Sequence, residues 1–398
     1  MVTVKEHYEH FPYPARDPAD EAKRLISGSP SRPSEMDHFL WGGQRDWSRP
    51  LRALIAGGGT GDALIQLAQM MTSAGAPYDI TYIDLSTASR EIAEARARAR
   101  GLTGITFVTG SLLDAPDHGP FDYIDCCGVL HHLPDPDAGF RALRAALAPG
   151  GGMGFMVYAT YGRSGVYPLQ EAFGALFDGL PPGERLARAK EIVADLPDGH
   201  PFASNPNLMD HEQSDAGFYD LLLHGQDKPY DVPELLRTCA DTGWRVQSFV
   251  QPGLYDLSRV TTVPAGMETA QGMAIAEKLR GTIRKHVGYL VPSDEDRALP
   301  KPSQSSLVPR FQLPSLPRVA QAVAQGKPLP VSLPEVKTQI TLPKDAADLI
   351  AAADGRRSLA QIARHAGVDP MRFGALWGKV HREFTDWGLL HYTRFGLS

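Results

Sequence analysis

Strand-like and helix-like segments alternate between residues 50 and 160, and this alternation limits the folds that the chain can adopt. The apolar, strand-like runs occupy residues 51–56, 80–83, 105–108, 123–127 and 154–158. Between them lie alanine-rich stretches in which apolar residues recur every three or four positions, the spacing of one helix face. Strands joined in this way form a parallel sheet covered by helices on both faces. We therefore predict an α/β fold with a doubly wound, mostly parallel sheet.

The chain has 33 prolines, and they are unevenly distributed. Ten of them lie between residues 292 and 343, where each removes a backbone donor and restricts the residue before it. We predict a connector there with short ordered pieces, such as a helix at residues 318–324. The predicted domains are an N-terminal segment at 1–48, a main domain at 49–258 with a helical insertion at about 160–230, a helix and proline-rich connector at 259–340, and a small C-terminal domain at 341–398.

Charge and composition exclude several classes of protein. The net charge is −6, which gives no overall field to attract nucleic acid. The three cysteines, Cys126, Cys127 and Cys239, cannot form a disulfide framework and lack metal-site spacing. The first residues do not have a signal-peptide pattern, and no apolar run approaches the ~20 residues of a membrane span. We expect a cytoplasmic protein with no metal, membrane or nucleic-acid partner.

A glycine-rich turn follows the first strand and opens the first helix. It reads Gly57-Gly58-Gly59-Thr60-Gly61. Glycine allows a tight turn and lets the backbone approach a ligand closely, although a plain strand-to-helix turn is the alternative. Asp84 ends the second strand, where a carboxylate can accept hydrogen bonds from both hydroxyls of a ribose. The alternative for Asp84 is a helix N-cap, a role that Ser86 or Thr87 could fill.

Two further motifs follow the third and fourth strands. The segment 110–114, with Ser111 and Leu112, is placed to meet an adenine edge, although Ser111 is equally suited to a turn. The fourth strand ends in Cys127-Gly128 and continues as Val129-Leu130-His131-His132-Leu133. The phrase Pro149-Gly150-Gly151 then precedes the fifth strand.

Taken together, these motifs resemble those of the class I S-adenosylmethionine (SAM)-dependent methyltransferases over residues 50–160. The resemblance implies a Rossmann-like methyltransferase sheet with SAM as the cofactor. The histidine segment and the Pro-Gly-Gly phrase are not usual in dinucleotide enzymes, and the histidine segment also argues against an aminopropyl transferase. The residues that the resemblance assigns to cofactor binding are Gly57, Gly58, Gly59, Gly61, Asp84, Leu85, Ser111, Leu112, Cys127 and Gly128.

The chain departs from the family pattern at two positions. The family often has an acid two residues before the first glycine, and here that position is Ile55. The ammonium group of the ligand is then expected to be held by backbone carbonyls or by other side chains. Ser111 stands where an acid commonly follows the glycine, and its hydroxyl can still bond adenine.

Methyl transfer from a sulfonium needs positioning, exclusion of water and, for a weak nucleophile, a base. We predict His132, His131 and Tyr161 as catalytic residues, with Tyr158 nearby; a packing or capping role is the alternative for His132. Tyr8 or Tyr13 is expected to close the site as a lid, the alternative being simple anchoring of a terminal helix. The insertion residues expected to face substrate, unless they are solvated loop residues, are Arg163, Tyr167, His224, Asp227 and Tyr230.

The C-terminal segment from residue 341 is similar to winged-helix and PqqD-like peptide-binding modules, and to the tails of some bacterial protein methyltransferases. Its eight basic and six acidic residues give a net charge of only +2, which is too little for a DNA reader. Peptide or protein docking, or pairing of two chains as a homodimer, fits better. The leading interpretation is a methyltransferase acting on a protein or peptide side chain. The alternatives are a small-molecule methyltransferase with a dimerising or docking tail, and a non-catalytic SAM-binding regulator.

Overall fold

A seven-stranded sheet forms the centre of the structure, a computed structural model that describes residues 4–397. The strands are β1 (Leu51–Ala56), β2 (Tyr78–Asp84), β3 (Ile105–Thr109), β4 (Phe121–Cys127), β5 (Leu147–Tyr158), β6 (Trp244–Phe249) and β7 (Lys285–Pro292). Their order is β3-β2-β1-β4-β5-β7-β6. Strands β1 to β5 are parallel, whereas β7 runs antiparallel to both β5 and β6. Residues 1–3 and 398, the outermost parts of the predicted N-terminal and C-terminal segments, lie outside the described range.

Helices connect the strands and pack on both faces of the sheet. The α-helices are α1 (Val4–His10), α2 (Pro33–Trp41), α3 (Asp62–Ser73), α4 (Thr87–Ala99), α5 (Pro136–Ala145), α6 (Val166–Leu176), α7 (Pro182–Ala194), α8 (Asp210–Gln213), α9 (Asp215–Leu222), α10 (Val232–Asp241), α11 (Thr269–Arg280), α12 (Leu316–Ala324), α13 (Ala347–Ala352), α14 (Leu359–His365) and α15 (Pro370–Thr385). Short 3-10 turns lie at Pro18–Ala22, Leu112–Asp117, Leu130–His132, Tyr161–Arg163, Pro252–Leu254, Leu257–Arg259 and Lys344–Ala346. None of these helices, over residues 4–397, combines the length and apolar character needed to cross a bilayer.

The predicted fold class is confirmed, since the central sheet is mostly parallel with helices on both sides. The sheet nevertheless continues past residue 258. Strand β7 comes from residues that were predicted to belong to the connector, and it lies between β5 and β6. This strand could not be assigned from local pattern because its neighbours are distant in sequence and antiparallel.

The insertion after β5 contains helices α6 to α9 and has an apolar core of its own. Aromatic and aliphatic side chains from these helices and the loops between them form this core, including Phe173, Phe177, Leu186, Phe202 and Phe218. The core holds α9 in place beside the carboxyl end of β5, because buried apolar area removed from water stabilises the packed arrangement.

The proline-rich region contains more regular structure than the sequence predicts. Helix α12 confirms the helix expected at residues 318–324. Strands β9 (Leu329–Leu333) and β10 (Val336–Ile340) form an antiparallel hairpin, and β8 (Pro309–Phe311) pairs with β11 (Leu390–Tyr392) in the C-terminal segment. The connector and the C-terminal segment therefore contribute paired strands to one small sheet, and their side chains pack in one apolar core. The winged-helix resemblance of this segment stays a prediction.

The C-terminal segment is fastened to α2 through a buried carboxylate. Asp37 is fully buried, and its Oδ2 accepts hydrogen bonds from Trp47 Nε1 at 3.1 Å, Thr393 Oγ1 at 2.7 Å and Arg394 N at 2.9 Å. Its Oδ1 accepts from Arg45 N at 3.0 Å. Satisfying four donors offsets the cost of burying the carboxylate, so Asp37 joins the N-terminal segment, the loop after α2 and the C-terminus.

Substituting Asp37 by alanine is expected to lower the free energy of unfolding by about 3–5 kcal/mol, because the buried donors lose their acceptor. Urea denaturation followed by circular dichroism measures this change. Asp348→Ala is the matched control, since Asp348 is exposed on α13 and its loss should change stability by less than about 0.5 kcal/mol. Equal, small effects of both substitutions would contradict the anchoring role of Asp37.

Candidate functional site

A cavity of about 820 Å³ opens at the carboxyl ends of the parallel strands. Strand order reverses between β1 and β4, and ligands in doubly wound sheets bind at such a point. The cavity wall combines the turn after β1, the ends of β2 and β4, the segment before α2, and residues from the N-terminal segment and the insertion. Its volume falls within the range of ligand pockets, about 300–1,000 Å³.

The glycine turn lies against the N-terminal segment. Gly59 has φ +52°, and a Cβ there would lie 2.6 Å from the carbonyl oxygen of Tyr13. A Cβ on Gly58 would collide with the ring of Tyr82, whose hydroxyl donates to the Gly59 carbonyl. Gly58 therefore needs glycine for close packing, and Gly59 needs it for the turn as well. Gly61 is different, because it lies outside the described cavity wall and a Cβ there would lie 2.9 Å from Ala93 on α4.

Asp84 fixes this turn while facing the cavity. Its Oδ2 accepts from Gly59 N and its Oδ1 from Ser86 N, both at 2.8 Å. Burial raises the pKa of the Asp84 carboxyl against the lowering effect of these two N–H donors. The hydroxyl of Ser86 accepts from Ser89 N and caps α4, so the helix cap does not depend on the Asp84 side chain.

The other predicted cofactor residues also lie in the wall. Gly57, Leu85, Ser111, Leu112, Cys127 and Gly128 line the cavity. Ser111 has a structural role as well, because its Oγ accepts from Leu113 N and caps the turn that follows β3. The structure thus brings together all of the predicted cofactor residues except Gly61.

His132 lines the cavity, and one of its two ring nitrogens is held by the backbone. Its Nδ1 lies 2.8 Å from the Gln226 carbonyl oxygen, which can only accept, so Nδ1 carries a proton. In the neutral ring Nε2 then has a free lone pair, and no group within residues 4–397 hydrogen-bonds it. The ring stacks on His224 with centroids 3.8 Å apart, and His224 Nδ1 accepts from Gln226 N. The backbone of Gln226 therefore orients both imidazoles.

A carboxylate that the sequence did not indicate lies beside these histidines. Asp220 on α9 lines the cavity and accepts hydrogen bonds from Tyr8 at 2.9 Å and Tyr158 at 3.1 Å. The guanidinium of Arg163 lies 3.5 Å from the centroid of the Tyr158 ring and pairs with Asp227 at 3.1 Å. Asp220 was missed because its partners are distant in sequence.

Several predicted residues are outside the cavity wall. His131 is fully buried, packs 4.2 Å from the Tyr158 ring, and has no hydrogen-bond partner for either ring nitrogen in the described chain. Burial lowers its pKa, so it is a neutral core residue. Tyr161 lies in the turn after β5 without reaching the cavity. Their placement does not support the predicted catalytic roles. Of the insertion residues predicted to face substrate, Arg163 lines the cavity, and those that do not are Tyr167, His224, Asp227 and Tyr230.

Two clusters have ligand atoms within 4.8 Å of one another, a spacing that would suit a metal ion. They are His131, His132 and Asp227, and His132, Asp220 and His224. The hydrogen bonds favour a proton network over a metal site in the second cluster. His224 Nδ1 accepts from a backbone N–H, so the neutral ring carries its proton on Nε2, the atom that would otherwise face a metal.

The N-terminal segment covers one side of the cavity. Tyr8, Tyr13 and Pro14 belong to its wall. Glu9 accepts from Thr87 N at 2.7 Å and caps the start of α4, while the Thr60 hydroxyl donates to the Pro14 carbonyl. The segment is thus docked by specific hydrogen bonds as well as by apolar contact. Its opening and closing as a lid stays a prediction.

The segment that forms most of the parallel sheet is similar to known proteins. Residues 54–153 match the family described as "Methyltransferase domain". An uncharacterized protein of Synechococcus sp. is 34% identical over 253 residues, which is 60% of this chain and 58% of that relative. The chain thus spans less than two thirds of that relative's length. A ubiquinone biosynthesis O-methyltransferase of Alkalilimnicola ehrlichii is 27% identical over 229 residues, 54% of this chain and 86% of the relative.

Solved structures show a similar fold over nearly the whole chain. PKMT2 from Rickettsia typhi superposes with a TM-score of 0.59 at 13% identity, covering 92% of this chain and 76% of that one. The same protein in complex with AdoHcy gives a TM-score of 0.61, also at 13% identity, and covers 91% and 75% of the two chains.

The residues of the cavity fit SAM. The glycine turn lines the cavity, and the half-buried Asp84 carboxylate stands where a ribose acceptor is required. Both features lie at the strand ends of the matched segment. Residues 54–153 therefore match a methyltransferase domain, and SAM is the cofactor that the lining of its cavity fits.

Proposed function

We propose that the whole chain catalyses SAM-dependent methyl transfer to a nucleophilic side chain of a protein or peptide, with His132 as the base. The observation that carries the proposal is that His132, whose Nε2 has no hydrogen-bond partner within residues 4–397, lines the same cavity as the glycine turn and Asp84. An unshared lone pair on a ring held by the Gln226 carbonyl is suited to accept a proton.

SAM supplies an already activated methyl group, so the chain has to position the reactants and exclude water. The glycine turn and Asp84 hold the donor side of the cavity. His132 Nε2 accepts the proton that the acceptor atom loses. The N-terminal segment covers the cavity through Tyr8 and Tyr13, which limits the access of water.

The acceptor side of the cavity supports an amine-bearing side chain. Asp220 places a carboxylate there, next to the rings of Tyr8 and Tyr158. Arg163 is balanced by Asp227, so its charge does not cancel this carboxylate. Aromatic rings and a carboxylate attract an ammonium group, and His132 can then remove its proton before transfer.

A small-molecule acceptor is the second candidate. It is favoured by the name of the Alkalilimnicola ehrlichii relative, a ubiquinone biosynthesis O-methyltransferase. A hydroxyl is a weak nucleophile and would also need the base that His132 provides. The predicted homodimer, the absence of nucleic-acid and membrane partners, and the cytoplasmic location stay predictions.

Transfer of radiolabelled methyl distinguishes these candidates. The purified chain is incubated with SAM labelled in the methyl group and with lysate of the source cells, with excess S-adenosylhomocysteine as the inhibited control. We expect labelled protein bands that disappear in the control. Label confined to extractable small molecules would replace the protein acceptor by the second candidate. SAM binding without any transfer would indicate a non-catalytic regulator.

A further inference from the structure

The position where the family often has an acid is apolar in this chain, and a neighbouring strand has a buried acid at the same level. Ile55 on β1 is directly paired with Asp125 on β4. Paired residues on adjacent parallel strands extend their side chains from the same face of a sheet. The carboxylate of Asp125 thus occupies the same face and level as the absent acid, one strand away.

Asp125 is buried and lacks a cation. Only 2% of the residue is exposed, yet it lines the cavity. Its Oδ2 accepts from the Ser31 hydroxyl and, at 3.5 Å, from the Tyr123 hydroxyl. Within the described part of the chain, Oδ1 has no hydrogen-bond partner and neither oxygen has an ion-pair partner. A buried carboxylate in this state is costly unless a ligand supplies positive charge.

Three of the four other acids of this wall already have partners for their carboxylates, and the fourth, Asp210 at the start of α8, is only half-buried. Asp62 pairs with Arg16 at 2.6 Å and with the buried Arg96 at 2.8 Å. Asp84 accepts two backbone N–H groups, and Asp220 accepts two tyrosine hydroxyls. Asp125 differs from the first three acids because one of its oxygens is unpartnered, and from Asp210 because it is almost fully buried.

We infer that Asp125, oriented by Ser31, binds the ammonium group of the methionine part of SAM in place of an acid at position 55. The inference rests on the proposed function, since it requires that the cavity binds SAM. The carboxylate and the ammonium neutralise each other at a buried position, which makes the pair strong.

The charge state of Asp125 gives the site a pH dependence. Burial raises the pKa of its carboxyl to about 6, and the hydroxyls of Ser31 and Tyr123 only partly oppose this. The titratable groups around it are Tyr123, Cys126 and Cys127 on β4, Glu35 on α2 and Tyr289 on β7, with Lys285 beyond Cys127. The ammonium binds the ionised carboxylate, so affinity should rise as the pH increases through about 6 and then level off.

Two ligands test the inference by calorimetry. S-Adenosylhomocysteine carries the amino group, and desamino-S-adenosylhomocysteine lacks it and keeps the carboxylate. We expect wild-type protein to bind the amino compound more tightly by roughly 10- to 100-fold, the range of a charge-assisted hydrogen bond. Asp125→Asn should lose that factor for the amino compound only, and its affinity should no longer depend on pH near 6.

Each other outcome has a defined meaning. Equal weakening of both ligands in Asp125→Asn would make Asp125 a structural residue and overturn the inference, as would unchanged binding of the amino compound. If Asp125→Asn does not fold, the pH dependence of ligand binding to the wild-type protein tests the inference instead. Its affinity for the amino compound must rise from about pH 5 to about pH 7.5 and that for the desamino compound must not. Failure of wild-type protein to bind either ligand would instead contradict the proposed function.

Discussion

Replacing His132 by alanine is expected to lower the rate of methyl transfer by about 100- to 10,000-fold, the usual contribution of a positioned base. The affinity for SAM should change by less than about threefold, because the donor side of the cavity consists of the glycine turn and Asp84. Single-turnover transfer of labelled methyl, combined with calorimetry, separates the two quantities.

The control for this prediction is His118→Ala, since His118 is an exposed histidine in the turn after β3. It should transfer methyl at the wild-type rate. If His132→Ala also kept the wild-type rate, His132 would be a packing residue, stacked on His224, and the proposed mechanism would lose its base.

Substituting Gly59 by alanine is expected to weaken SAM binding at least about 100-fold. The substitution combines two effects. Alanine is strained at φ +52°, at a cost of roughly 1 kcal/mol. Its Cβ would also lie 2.6 Å from the Tyr13 carbonyl oxygen, so the glycine turn or the covering segment must move. Either movement disturbs the hydrogen bond from Gly59 N to Asp84.

Gly75→Ala is the control that separates backbone strain from a steric clash of the added Cβ. Gly75 has φ +65°, and a Cβ there would meet nothing within 4 Å. This control should lose roughly 1 kcal/mol of stability and keep its affinity for SAM, measured by calorimetry on both variants. Wild-type affinity in Gly59→Ala would show that the turn does not form the binding surface.

Local sequence pattern was enough to predict most of the sheet. Strands β1, β2, β4 and β5 contain buried apolar residues, β3 is an apolar run at the edge of the sheet, and α4 has a start signal in its capping residue Ser86. Strand β7 was not predicted, because its place between β5 and β6 depends on contacts made after a long insertion and α11. The regular structure of the connector was likewise underestimated, because β8 pairs with β11, which lies about eighty residues later in the chain.

The cofactor side of the site was also predictable from local sequence, because its residues belong to contiguous motifs at strand ends. The acceptor side was not predictable in this way, because its residues are distant in sequence. Asp220 acquires its role from Tyr8, 212 residues away, and Ser31 lies 94 residues from Asp125. A signal for Asp125 was nevertheless present, since a carboxylate within the apolar run of β4 is unusual in a buried strand.

Titration of the purified chain with SAM by calorimetry tests the central claim most directly. We predict saturable binding of one SAM per chain, retained in His132→Ala and weakened at least about 100-fold in Gly59→Ala. Absence of SAM binding to the folded wild-type protein would contradict the assignment of this cavity as a methyltransferase site.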